Sequence, residues 1–387
     1  MRCRYFLLSI VLVVSAGQLS LLAADAPAVA AKRVPNNGLQ PQTAVAAKGR
    51  LHLVYFRGKP DAGDVFYVRS DDDGATFTAP LKVNTQPGAA IAMGNIRGAR
   101  LALGAAGRPH VAWMGAKTTQ PRLGKDGAPM LYTRLNDAGT AFEAERNVAQ
   151  FAGGLDGGGT VAADGAGHVA VFWHGTGELP GEDHRRVYVA LSADGGQTFA
   201  REVPAWDRAT GACACCGMSA LAAPGGAFLA LYRSATELVN RDMFLLHAPA
   251  GKAAFAGASF DRWVVNQCVM STNALVAAGD RVLAAWETEG QVRYGAVELT
   301  TGRVGPAISA PGLGRGRKHP ALAVNARGDV LLAWTEGLGW NKGGGAAWQV
   351  FDAAGQPLGT TGRVPGVPAW SLVAATARAD GSFVVWY

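Results

Sequence analysis

The sequence predicts an all-β protein folded as a β-propeller of four-stranded blades, and three observations carry that prediction. An apolar strand ending in an aromatic residue recurs seven times, at Tyr55, Trp113, Trp173, Tyr232, Trp286, Trp334 and Trp386. Successive landmarks stand 58, 60, 59, 54, 48 and 52 residues apart, a period that belongs to a repeat array. Glycine supplies 52 of the 387 residues and charged residues only 17%, a balance that favours many tight turns over long amphipathic helices.

Each landmark strand follows a small-residue strand and a turn carrying Gly or Asp, as in Ala321-Leu-Ala-Val-Asn-Ala-Arg-Gly328. Most are followed by two further β-rich segments, and four strands per unit make a propeller blade. In the first unit the strands are expected at 41–46, 51–56, 65–70 and 77–83, with alternation such as Val65-Phe-Tyr-Val-Arg marking a half-buried strand. The count gives seven blades, or six if one pair of repeats is misread. The last repeat holds only two strands, while Lys32-Arg-Val-Pro35 resembles the fourth strands at 201–204 and 363–365. An N-terminal strand is therefore expected to pair with the C-terminal ones and close the ring, removing open sheet edges. Residues 25–387 read as one domain.

The first 24 residues read as a secretory signal peptide. Arg2 and Arg4 precede an apolar run from Tyr5 to Ala16, with small residues offering cleavage after Ala16 or Ala24. The run is shorter than the ~20 residues of a spanning helix, so a secreted or periplasmic protein without a membrane span after cleavage is expected. Cleavage removes two arginines and no acid, lowering the formal net charge from +7 to +5. That charge is scattered: the densest cluster is Arg315, Arg317 and Lys318, too short for a nucleic-acid stripe. A monomer without nucleic-acid partners is expected.

Two turns share one pattern. Ser70, Asp72, Gly74, Thr76 and Phe77 repeat as Ser192, Asp194, Gly196, Thr198 and Phe199, and a weaker copy keeps Asp137, Gly139 and Phe142. The chemistry is structural: the Ser and Asp oxygens satisfy turn amides, the glycine takes positive φ, and the aromatic packs beneath. This pattern resembles the Asp-box of the sialidase superfamily, the BNR-repeat propellers. Gly211-Ala-Cys-Ala-Cys-Cys-Gly-Met218, Tyr232-Arg-Ser, Asn240-Arg-Asp and Cys268-Val-Met-Ser-Thr-Asn273 look like a secreted bacterial sialidase-like branch. The resemblance implies a propeller with a ligand site on its axis. It also implies an arginine triad, an Asp acid/base and a Tyr nucleophile. Here Gln40-Pro41 stands where Arg-Ile-Pro is expected and Trp370-Ser371 where Tyr-Ser is expected. Indole cannot replace the phenol, so the tyrosine route is not expected.

Four cysteines follow the signal segment: Cys213, Cys215, Cys216 and Cys268. An even number in an exported chain favours disulfides, with a link from the cluster to Cys268 the least strained choice. The alternative is a soft-metal site for copper(I) or zinc, with Met218 and Met270 nearby. Cys-x-Cys-Cys is not standard zinc spacing, so no metal or other cofactor is assigned.

Loops at one end of a propeller build its site. Asp156, set among glycines, with Glu287 and Glu336, are the candidate catalytic carboxylates; Arg97, His174, Arg233, Lys318, His319 and Trp370 are the candidate ligand contacts. Each has a plainer reading: Arg233 paired with Asp242, Glu287 and Glu336 as solvated loop acids, Arg97 bracing a turn. Glu178, Glu182, Asp183 and His184 share a long loop with His174 and offer glycan contacts or metal ligands. Neither a phosphate-binding loop nor a Gly-x-Ser-x-Gly elbow is present. Two functions follow: hydrolysis of a glycan bond by channel carboxylates, or non-catalytic binding of a glycan, other small polar ligand or protein. Metal handling through the cysteines is a third.

Overall fold

The computed structural model describes residues 26–123 and 127–387; the expected signal segment lies outside them. Seven sheets form a ring of seven blades. In the first, Leu39–Val45, Leu51–Lys59, Ala62–Ser70 and Leu81–Lys82 pair antiparallel in chain order, near the expected positions. Five blades have four strands, and the fifth blade carries an additional short strand.

The closing blade differs from the expectation in one respect. Val29–Lys32 does pair with the C-terminal strand Phe383–Trp386, but beside it and parallel, giving a sheet of three. The direction follows from connectivity. This segment leads into the innermost strand of blade 1, as every fourth strand leads into the next blade, so it must run like a fourth strand. A fourth strand runs the same way as a second, and with no third strand between them the two lie parallel.

The landmark aromatics are the joints of the ring. All seven are at most 3% exposed. Trp113 packs on blade 1, Trp173 on blade 2, Tyr232 on blade 3, Trp286 on blade 4 and Trp334 on blade 5, each into the apolar cluster shared with the preceding blade. Tyr55 and Trp386 meet in the cluster between blades 7 and 1, which welds the chain ends. A second strand such as Val169–Gly175 is buried on both faces, hence its unbroken apolar run.

The Ser-Asp-Gly-Thr turns work as read. Ser70 Oγ donates to Asp72 Oδ1 at 2.7 Å and accepts from Gly74 N at 2.8 Å, and Asp72 accepts from Thr76 N at 2.9 Å and Thr76 Oγ1 at 2.6 Å. Ser192, Asp194, Gly196 and Thr198 repeat these bonds. Phe77 meets Trp386 of blade 7 edge-on at 5.6 Å, and Phe199 meets Tyr132 of blade 2 at 4.8 Å. Each turn thus braces its blade on the preceding one, at the rim opposite the candidate site.

Candidate functional site

Innermost strands enclose a channel of about 440 Å³, lined along most of its length by Ala, Leu and Val. At one rim, the segments leading into those strands meet the exits of the second strands. Several lead-in residues take left-handed conformations: Gln40, Gly158, Met270, His319 and Trp370 have φ between 50° and 79°. The backbone therefore kinks as it enters the channel, and polar side chains collect at the rim.

Between blades 2 and 3, Arg97 donates Nη2 to Asp156 Oδ1 at 2.5 Å and Nε to the Asp156 carbonyl at 2.6 Å. Asp156 remains 46% exposed. The glycines after it are required by close approach: a Cβ at Gly157 would collide with the carbonyls of Ala214 and Cys216 and would stand 2.6 Å from His174 Nε2. His174 is buried, and neither ring nitrogen has a hydrogen-bond partner. Burial pulls its pKa down to about 4, aided by Arg185 and opposed by Asp156, so the ring is neutral.

The cysteine loop is pinned by main-chain bonds, Cys213 N to Arg233 O at 2.9 Å and Cys216 N to Cys213 O at 3.2 Å. Glu182 holds it from the neighbouring blade: Oε1 accepts from Ala214 N at 2.8 Å while Oε2 pairs with Arg241 at 2.6 Å. Cys213 Sγ lies 2.7 Å from Cys216 Sγ and 3.6 Å from Cys215 Sγ, all three buried, and none of the four described cysteines is in a disulfide. Hydrogen bonding to its neighbours, first from Cys213 and Cys216, holds the Cys215 thiol low, whereas burial pushes Cys216 up to about 12.

Arg233 does not pair with Asp242. It donates to the carbonyls of Arg241, at 2.7 Å, and Glu287, lies 3.8 Å from Glu287 Oε2, and stacks over Trp263 at 5.1 Å. Nor is Glu287 a solvated loop acid: it is 1% exposed, accepts from Gly290 N at 2.7 Å, and is pushed up in pKa by burial against the pull of Arg233. Its burial was not legible locally, because hairpin acids are usually wet and the neighbouring blade covers this one. Lys318 Nζ caps the Val269 carbonyl. His319 is buried, 3.3 Å from Thr272 Oγ1, with its pKa drawn down to about 3 by burial. Glu336 stays within its own blade, bonded to Arg317, Trp334 Nε1 and Arg363. The Trp370 carbonyl accepts from Gln40 Nε2 at 2.8 Å, and Gln40 also reaches Ala92 O, so the residue in the expected arginine position stitches blades 7, 1 and 2.

Two further residues complete the mouth. Arg100, 9% exposed, begins the innermost strand of blade 2. Its Nη1 lies 3.3 Å from Gln42 Oε1 and its Nη2 stands 3.0 Å from where a Gly217 Cβ would be, so the guanidinium crosses toward blade 4. Burial alone draws its pKa down to about 10; no carboxylate among the described residues acts on it. Trp340, 59% exposed on blade 6, reaches Gly94 beside Arg97. The sequence already marks Arg100 as heading a channel-lining strand and Trp340 as a stacking surface; ring closure brings them to one rim.

No family model and no curated protein matches this chain. Solved structures do. A protein of unknown function from Dyadobacter fermentans is 14% identical over 80% of this chain and 93% of that one, with a TM-score of 0.50. The NanB sialidase of Streptococcus pneumoniae is 8% identical over 79% and 67%, with a TM-score of 0.52. The fold is a sialidase-like propeller. The GH93 α-L-arabinofuranosidase of Fusarium graminearum, in a complex with arabinobiose, is 10% identical over 88% and 97%, with a TM-score of 0.50. At such identities the likeness is one of fold, and function rests on the site.

Proposed function

We propose that this is an exported propeller that binds a hydroxyl-rich, anionic glycan at the channel mouth without hydrolysing it by the sialidase tyrosine route. The observation that carries the reading is Arg100, a buried cation without a carboxylate partner, in a channel whose polar lining includes Gln42, Thr160, Ser219, Thr272 and Asn273. A buried guanidinium is costly unless an anion answers it, and hydroxyl and amide groups beside it suit a sugar. Exposed Trp340 supplies an apolar face for a sugar ring at the rim. Binding is favoured over hydrolysis because Asp156, Glu287 and Glu336 are each engaged by an arginine, whereas a glycosidase needs two carboxylates free to flank the bond.

The test is calorimetric titration of the mature chain with acidic and neutral oligosaccharides, alongside turnover assays on the same panel. Preference for acidic sugars, weakened at least about tenfold in Arg100→Gln, a loss of about 1.4 kcal/mol, is expected. Asp156-dependent turnover, or affinity indifferent to Arg100, would replace this reading with the hydrolytic one or with a protein-binding surface respectively.

A further inference from the structure

We propose that Cys213, Cys215 and Cys216 form a copper(I) site at the channel mouth, beside the Arg100 pocket. Their sulfurs all lie within 4.8 Å of one another and all three residues are buried. The loop that carries them does not depend on the sulfurs for its shape. It is fixed by the Cys213–Arg233 and Cys216–Cys213 main-chain bonds and by Glu182 on Ala214, so the three sulfurs are gathered in advance of any ion, and binding spreads the Cys213–Cys216 pair from its 2.7 Å separation.

The charge around the cluster identifies what it holds. Arg241 is 6% exposed; Glu182 takes one of its terminal nitrogens, and its Nε and Nη1 have no hydrogen-bond partner. A disulfide carries no charge and would leave Arg241 Nε and Nη1 without a partner, whereas three thiolates around one monovalent ion are anionic and would answer them. Donor type selects the metal. The set is sulfur alone, inside an apolar wall of Ile96, Val269, Trp263 and Met270, and thiolate donors favour copper(I). Structural zinc takes four closed ligands. Among the described residues the group within 4.8 Å numbers three; Cys268, exposed, touches Cys215 at its edge without joining the group.

The experiment titrates the reduced mature chain with copper(I) against a chromophoric chelator under anaerobic conditions, with X-ray absorption on the loaded protein. One equivalent with a sulfur-only coordination sphere is expected, bound with release of thiol protons. Cys216→Ser should weaken binding by about a hundredfold or more. Arg241→Gln, which leaves every sulfur in place, should weaken it about tenfold, as loss of an outer-sphere partner does. Cys268→Ser should keep the stoichiometry at one. Unchanged near-ultraviolet circular dichroism of each apo variant separates loss of a ligand from loss of the fold. Affinity equal to that of a Cys213/Cys215/Cys216→Ser variant, or tighter binding of zinc(II) than copper(I), would overturn the proposal. So would a Cys213–Cys216 disulfide in freshly exported protein that persists when copper(I) is supplied.

Discussion

Arg97 grips Asp156 twice, through Oδ1 at 2.5 Å and through the main-chain oxygen at 2.6 Å, and so ties the lead-in loop of blade 2 to that of blade 3. The carboxylate is half exposed while the guanidinium is mostly covered. The pair therefore presents an acid to the mouth and keeps the base beneath it.

Asp156→Asn is expected to cost less than about 1 kcal/mol of stability, since one partner is well solvated. It should nevertheless alter ligand affinity measurably, because the mouth loses its exposed negative charge while Arg97 keeps its bonds to the Asp156 and Met93 carbonyls. Thermal melts and calorimetric titration of the same preparation check both halves; a large loss of stability with unchanged affinity would make the pair purely structural.

Trp173 is fully buried in the cluster between blades 2 and 3. Trp173→Ala should cost about 3–5 kcal/mol, the usual penalty for deleting a buried aromatic. Urea unfolding reads the effect as a lower midpoint.

Ser192 Oγ accepts the buried Gly196 N–H at 2.9 Å. Ser192→Ala leaves that donor unanswered and should cost about 1–3 kcal/mol. Because the turn lies at the rim opposite the mouth, ligand affinity should hold; a matching loss of affinity would contradict the separation of brace from site.

Glu182 is the latch of the cysteine loop. In Glu182→Ala the amides of 211–218 should exchange with solvent at least about tenfold faster, equivalent to about 1.4 kcal/mol of local opening. Hydrogen-exchange mass spectrometry of that peptide is the measurement, and unchanged protection would assign the loop's order to its main-chain bonds alone.

Stability should depend on pH through the buried histidines. Burial lowers His174 to about 4 and His110 and His319 to about 3, against 6.5 for an exposed ring. The unfolded chain thus binds more protons below pH 6.5, so stability is fully present above that value and is lost as pH falls toward 4 and below. Chemical denaturation at stepped pH should show this slope, and His174→Gln should flatten it.

The seven aromatic landmarks and the Ser-Asp-Gly-Thr turns were legible because each is a local pattern: a strand and its buried aromatic repeat with fixed spacing, and a turn closes within a few residues. The closing strand was legible in place and in its pairing with the C-terminal strands but not in its direction, which is set by where it leads next. Among the site residues, Asp156 stood out through its glycines, and the structure explains them by the carbonyls of Ala214 and Cys216 crowding Gly157.

Sequence alone therefore determined the blade and its Ser-Asp-Gly-Thr turns, because each closes within one period of the chain; that there are seven blades, and that Phe77 reaches Trp386, came with the ring. Only the tertiary structure decided the site. Arg100 faces Gly217, Trp340 reaches Gly94, and Arg233 meets Glu287 rather than Asp242. Each of these meetings joins segments more than 50 residues apart, and it exists only because the blades close into a ring that points every lead-in loop at one axis.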